Sequence, residues 1–360
     1  MLDQIRGSEV GMNSSKSVEL VKMTTDKRRF QVLVLMIILT LVLSLVSLCL
    51  GRYSLSLEDI IRILFSPIFP IERTWTDIME NVVLKVRLPR MIAALLVGAA
   101  LSLSGATYQG IFKNPLVSPD LLGVSSGSCV GAALAILMGL GDIGIQLFAL
   151  AFGLVAVFIA TAIPKMMRNS SSLMLVLSGV IVSGFMISTI GLLKYIADPE
   201  TQLAAITYWQ LGSISSVKAE DVIAVFPAMF VAMIILIVIR WRINIISLGE
   251  NEASLLGTNI KTIRGCAIIC STVLTGCAVC ISGTVGWVGL IIPHMCRMIV
   301  GPDNSKVMPI SVFVGASFML VVDTLARTVT AAEVPLSVIT GFIGAPLFAW
   351  LLFKQRMKLR

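Results

Sequence analysis

Apolar residues in this chain fall in long unbroken runs, with neither the polar stripe of a soluble helix nor the alternation of a half-buried strand. Charges bound ten such runs, at 32–50, 91–110, 122–139, 145–164, 173–193, 222–239, 266–283, 287–300, 308–327 and 337–353. About 20 apolar residues in a helix cross the ~30 Å hydrocarbon of a bilayer. The pattern therefore predicts an all-α membrane protein of about ten transmembrane helices, although several runs are short and Gly or Pro interrupts the third and eighth. The stretch from Arg87 to Gly127 is the most informative. It opens with two arginines around Pro89, which is expected to start the second helix, and after a long charge-free run it breaks into a Pro- and Gly-punctuated loop. The first run is too long for a signal-peptide core and lacks a small-x-small cleavage site, so it is read as a retained span. Residues 1–29 form a polar, basic cytoplasmic leader, and residues 30–360 a single transmembrane domain.

Composition agrees, with 57% hydrophobic and 13% charged residues, against roughly 25% charged in soluble domains. The net charge of +8 does not point to nucleic acid, because the basic residues cluster at run ends. Lys27, Arg28 and Arg29 precede the first run. Lys165 and Arg168 follow the fourth, Arg240 and Arg242 the sixth, and Lys354, Arg356, Lys358 and Arg360 the tenth. Threading from a cytoplasmic N-terminus puts all four clusters on the cytoplasmic side, which supports an even number of spans with both termini inside. The cysteines lie in or beside apolar runs and read as small packing residues. Cys277 and Cys280 have no second pair nearby, so neither metal nor cofactor is expected.

The chain also repeats itself. GAALSLSGA at 98–106 recurs as GCAVCISGT at 276–284, and the same offset carries Leu96 to Leu274 and Pro115 to Pro293. The two motifs lie five runs apart, which implies halves of opposite orientation, an inverted repeat. Ionisable residues are nearly absent inside the runs, so the signature of a proton- or ion-coupled carrier is missing. Asp323 and Arg327 are the exception, one turn apart near the outer end of the ninth run. No Gly-rich phosphate loop ending in Gly-Lys-Ser or Gly-Lys-Thr occurs, so no nucleotide is hydrolysed by this chain itself. His294 lacks partners for a metal or a triad and reads as a satisfied packing residue. An intramembrane protease or similar enzyme would need paired catalytic groups, which are not found. A pathway with no energy source of its own needs a partner. The polar segment 247–265 is where one could act, with a short helix over 251–256 behind Glu250 and Glu252, ended by Gly257, and with Asn259 capping a second turn.

At this point the residues resemble a known family. RLPR, GAALSLSGATYQGIFKNPLVSPDLLGVSSG, LGENEASLLG, SGTVGWVGLIIPHMCR, DTLAR and VPLSVITGFIGAPLFAWLL, in that order, are similar to the FecCD permeases of binding-protein-dependent ABC importers. The resemblance runs from about Arg52 to the C-terminus. It implies the type II ABC importer permease fold, paired with a second permease subunit as a homo- or heterodimer around a central path in the cytoplasmic membrane. It implies two ATP-binding subunits inside and a substrate-binding protein or lipoprotein outside. The family's coupling helices match the stretch around Glu250, Glu252, Ala253, Ser254, Leu255, Leu256 and Gly257. Its outer docking arginines match Arg87, Arg90 and Arg327, expected at the surface to receive acidic residues. Its inner gate falls at Asn169, Ser170, Ser171 and Ser172. The implied cargo is an iron-siderophore complex, with haem or cobalamin as the alternative and an ion-coupled carrier behind both. Iron in this family travels as an intact chelate, so no metal ligands are expected along the path.

The topology is open to a direct check. A cysteine placed at Asp142 should react with impermeant reagents from outside the cell, and one at Ser254 only after the membrane is opened; the reverse pattern would invert the orientation.

Overall fold

In a computed structural model the chain is described over residues 30–51, 53–168 and 171–358. The proposed leader 1–29 lies outside the described residues. Each apolar run coincides with a helix, and among the described residues no strand occurs. The helices are α1 (Phe30–Cys49), α2 (Leu57–Phe65), α3 (Asp77–Asn81), α4 (Leu88–Phe112), α5 (Val124–Leu137), α6 (Asp142–Met166) and α7 (Ser172–Ile196), followed by α8 (Gln202–Leu211), α9 (Ala219–Leu248), α10 (Glu250–Leu255), α11 (Ile260–Ser282), α12 (Val288–Val300), α13 (Asn304–Thr328) and α14 (Leu336–Lys358). Seven helices are long and apolar enough to cross a membrane: α1, the continuous Asp77–Phe112, α6, α7, α9, α11 and α13. Helices α5 and α12, with 14 and 13 residues, reach only about 20 Å, short of the ~30 Å hydrocarbon. The apolar part of α14 is also short.

The start of the second span differs from the sequence reading. Pro89 does not open it, because helix already runs from Asp77. The segment Val82–Arg87 is a π-helical turn in which the Leu88 N–H reaches back to Val83 O. A proline inside an α-helix loses one hydrogen bond and clashes with the carbonyl four residues back. The wider π turn displaces that carbonyl and lets the helix pass through Pro89. The sixth run is also longer than expected. Arg240 and Arg242 sit within α9, which continues to Leu248.

Every residue of α4 from Val97 to Phe112 is buried, so this helix is the central post. Apolar side chains gain nothing by leaving lipid for protein, and close packing with small residues holds such helices together. A Cβ on Gly98 would stand 2.2 Å from Gly315 O in α13, and one on Gly105 1.8 Å from Gly289 O in α12. The Ser102 hydroxyl donates to Ser311 O of α13 at 2.6 Å and that of Ser104 to Ser271 O of α11 at 3.2 Å. The best apolar windows of the Asp77–Phe112 span and α11 are each 78% buried, against 17% for α1 and 22% for α9. Helices α4, α11 and α13 form the inner layer, and α1, α6, α7 and α9 the lipid-facing one.

The loop after α4 folds back into the protein. Lys113 and Gly123 take positive φ, and a 3-10 turn, Pro119–Leu122, seats Pro119 against Gly289. Asp120 in this turn accepts from the Ser125 hydroxyl. Burial pushes its carboxyl above the usual range, with that hydrogen bond opposing. The proline spacing of the proposed repeat has no structural counterpart: Pro115 lies in this loop, while Pro293 lies inside α12.

Candidate functional site

The three arginines singled out in the sequence meet at one end of the bundle, opposite α10. They were expected at the surface and are buried instead, with Arg87, Arg90 and Arg327 only 5%, 6% and 8% exposed. Arg90 of α4 donates through Nε to Asp323 Oδ1 at 2.8 Å and through its fork to both oxygens of Glu333 at 2.8 and 2.9 Å. Arg327 approaches Asp323 at 3.6 Å, a charge contact too long for a hydrogen bond, and donates to Ser47 O and Oγ at 2.6 and 2.8 Å. Arg87 donates to Leu48 O at 2.5 Å, Cys49 O at 3.2 Å and Tyr53 O. Two guanidiniums thus cap the last carbonyls of α1, where cations are favoured by the helix dipole. The sequence reading recognised Asp323 opposite Arg327 but missed Glu333, which belongs to a loop far from Arg90 in sequence. A planar, five-donor fork is what bridges such partners; lysine offers only a point charge.

At the α10 end lies a second network that the sequence reading also missed. Arg297 of α12 donates to Gln109 Oε1 and, at 3.3 and 3.4 Å, to Asn304 Oδ1 and Ala106 O. Gln109 Nε2 donates to Leu290 O at 3.1 Å, and Asn304 N to Asn244 Oδ1 at 3.1 Å. The ends of α4, α9, α12 and α13 are thereby joined, and among the described residues no carboxylate pairs with Arg297. The available signal was one arginine inside the apolar run IIPHMCRMIV. Its neighbour His294 is buried against the edge of Phe348, with centroids 6.0 Å apart. Neither ring nitrogen has a hydrogen-bond partner among the described residues, so it is a packing residue but not a satisfied one.

The segment between α9 and α11 holds α10, Glu250–Leu255. It ends as expected: Gly257 takes φ +71°, and its N–H and that of Thr258 return to Ser254 O and Ala253 O at 3.0 Å each. Ala253 is fully buried, while Leu255 and Leu256 are 88% and 61% exposed. Glu252 is exposed and its carboxylate lies over Gly249. Asn259 caps the next long helix, α11, by accepting from Thr262 N at 3.2 Å, where a separate short turn was expected. Of the expected inner-gate residues, Asn169 and Ser170 lie outside the described residues. Ser171 caps α7 through Met174 N at 3.3 Å, and Ser172 is the first residue of that helix.

A sequence profile of the FecCD transport family matches residues 38–354. The chain belongs to this family. It is 40% identical to the molybdate import system permease protein of Haemophilus influenzae, over 89% of this chain and 94% of that one. It is 38% identical to a probable iron chelatin permease of Helicobacter pylori, over 88% and 96%, and 33% identical to the hemin permease of Yersinia pestis, over 89% and 95%. Among solved structures, an inward-facing metal-chelate-type ABC transporter superposes with a TM-score of 0.81 at 39% identity, over 90% of this chain and 99% of that one. The FecCD chain is therefore a multi-pass membrane protein, the permease subunit of an ABC importer and not its ATPase.

The ion network generates a stability prediction. Asp323→Ala leaves two buried guanidiniums short of a counter-charge and should cost about 3–5 kcal/mol. Arg73→Ala, which removes exposed pairs with Asp77 and Glu80, should cost no more than about 1 kcal/mol. Thermal unfolding of both variants in one detergent checks this, and equal melting points would refute a structural role for the network.

Proposed function

We propose that this chain is the membrane subunit of a binding-protein-dependent importer that carries an iron-siderophore complex across the cytoplasmic membrane. In this reading ten helices cross the bilayer, α5, α12 and α14 included, as two inverted halves. Both halves contain a long buried helix followed by a loop and a short helix, α4 then α5 and α11 then α12. The termini are cytoplasmic, a second permease subunit completes the path, and two ATP-binding subunits supply the energy. Haem or cobalamin is the alternative cargo. A further reading is favoured by one observation, the 40% identity to a molybdate permease, and makes the cargo an oxyanion.

The observation that carries the importer reading is α10. Leu255 stands in the open on the face of α10 opposite the fully buried Ala253, and Leu256, just past the helix end, is exposed beside it. Two adjacent exposed leucines outside the hydrocarbon suit a partner's pocket, with Glu250 and Glu252 favoured at the helix N-terminus. ATP-driven movement received there passes directly into α11. The segment 169–172 acts as the inner gate in the same scheme. Loss of the chain should abolish uptake of labelled ferric siderophore and leave molybdate uptake intact. Leu256→Arg should reproduce that loss and release the ATPase on purification. Loss of molybdate uptake alone would establish the second reading, and full activity of Leu256→Arg would remove α10 from coupling.

The outer network is the proposed floor of the binding-protein dock. Arg87, Arg90 and Arg327 are held by internal partners, so an incoming carboxylate must compete for Arg90 with Glu333, whose side chain is 31% exposed. Glu333→Ala should therefore speed association with an acidic binding protein, most clearly at low salt. An unchanged or slower rate would count against docking through Arg90.

A further inference from the structure

Helix α11 carries four of the seven cysteines of the chain, Cys266, Cys270, Cys277 and Cys280, all as free thiols. Cys266 and Cys270 stand one turn apart, which puts them on one helix face with Cβ atoms about 5–6 Å from each other. Their thiols interact with each other. Cys280, by contrast, donates its thiol to Gln146 O at 3.3 Å. Burial deepens stepwise along the face that holds the first pair. Thr262, one turn earlier, is exposed, Cys266 is half-buried and Cys270 is 6% exposed. Each step is a rise of about 6 Å, so the pair runs inward from the exposed end of α11.

Ligand softness, number and charge narrow what such a pair can hold. Thiolates select soft ions over hard ones. Structural zinc sites take four ligands, and among the described residues no group of three or more His, Cys, Asp or Glu could hold a metal. The ion must therefore be satisfied by two sulfurs. Two sulfurs in line across one ion lie about 4.6 Å apart, twice a metal–sulfur bond of ~2.3 Å, and side chains one helical turn apart can reach that separation. Ile263, Ala267 and Leu274 on the same helix are buried core residues, so net charge left at the site would be costly. Two thiolates neutralise a divalent ion, whereas a monovalent one would leave a negative charge.

We propose that Cys266 and Cys270 form a two-coordinate site for a soft divalent cation, of which Hg(II) is the simplest case. Both S–H bonds break, two mercury–sulfur bonds form and two protons leave to solvent past Cys266. The product is a neutral mercury bis-thiolate, and no atom changes oxidation state. Coordination requires the thiolate form, so binding weakens as pH falls. The bridge ties successive turns of α11, the helix that follows α10. Nothing in it depends on what the chain transports.

The full chain in detergent is given one equivalent of mercuric chloride and washed with a large excess of 2-mercaptoethanol, and the mercury kept per chain is measured by plasma mass spectrometry. One ion per chain should remain, because the second sulfur of a bidentate site acts at high effective concentration against a monothiol. Cys266→Ser and Cys270→Ser should each lower retention about tenfold or more, while Cys277→Ser should leave it unchanged. Zinc offered in the same way should wash out. Undiminished retention in both serine variants, loss in Cys277→Ser, or retention of zinc would overturn the proposal. The unmutated chain supplies a second readout that needs no variant to fold. After the monothiol is removed, bound mercury should shield Cys266 from a maleimide and leave the half-buried Cys49 reactive, as peptide mass mapping reads. A Cys266 that stays reactive with mercury bound would overturn the proposal as well. The readouts need neither ATPase nor binding protein, so their failure and a failure of the importer reading are distinguishable.

Discussion

Close approach of helix backbones at α4 is the constraint on which the rest of this structure depends. Lipid tails are as apolar as leucine, so burying a leucine between helices gains little over leaving it in the bilayer. Contact must be won by dispersion at short range and by hydrogen bonds across helices. Gly98 and Gly105 place α13 and α12 directly against the α4 backbone, and Ser102 and Ser104 add hydrogen bonds to α13 and α11. With one helix enclosed in this way, the remaining helices can only form a layer around it. That layer exposes large apolar side chains such as Phe158 and Phe185, as the surrounding lipid requires.

Arginines hold the bundle together at both ends of the central post, and the ends are built differently. Opposite α10, Arg90 and Arg327 share Asp323, while Glu333 completes the fork of Arg90. That network joins α1, α4, α13 and the loop after α13. At the α10 end, Arg297 is held, among the described residues, by amide and carbonyl oxygens. Paired buried charges resist the removal of either partner, whereas neutral acceptors exchange with less electrostatic cost. The end opposite α10 is thus the firmer clamp and the α10 end the more readily rearranged one. This asymmetry suits the proposed importer, in which α10 and α11 take up the movement beside Arg297.

The sequence by itself determined the class, the helices and the family. Unbroken apolar runs can only be satisfied in lipid by structures that bond their own backbones, so each run had to be helix. Gly257 ended α10 where expected, because a left-handed residue is needed there. Tertiary structure decided what single positions do. Pro89 reads as a helix start, and only the π turn before it lets helix run through. The equal spacing to Pro115 and Pro293 reads as a repeat, yet one lies in a loop and the other in a helix. Arg87, Arg90 and Arg327 read as surface charges because their partners, Leu48, Glu333 and Ser47, come from distant segments. Periodicity reports which residues a helix carries, and hydrogen bonding between segments far apart in the chain exists only once those helices have packed.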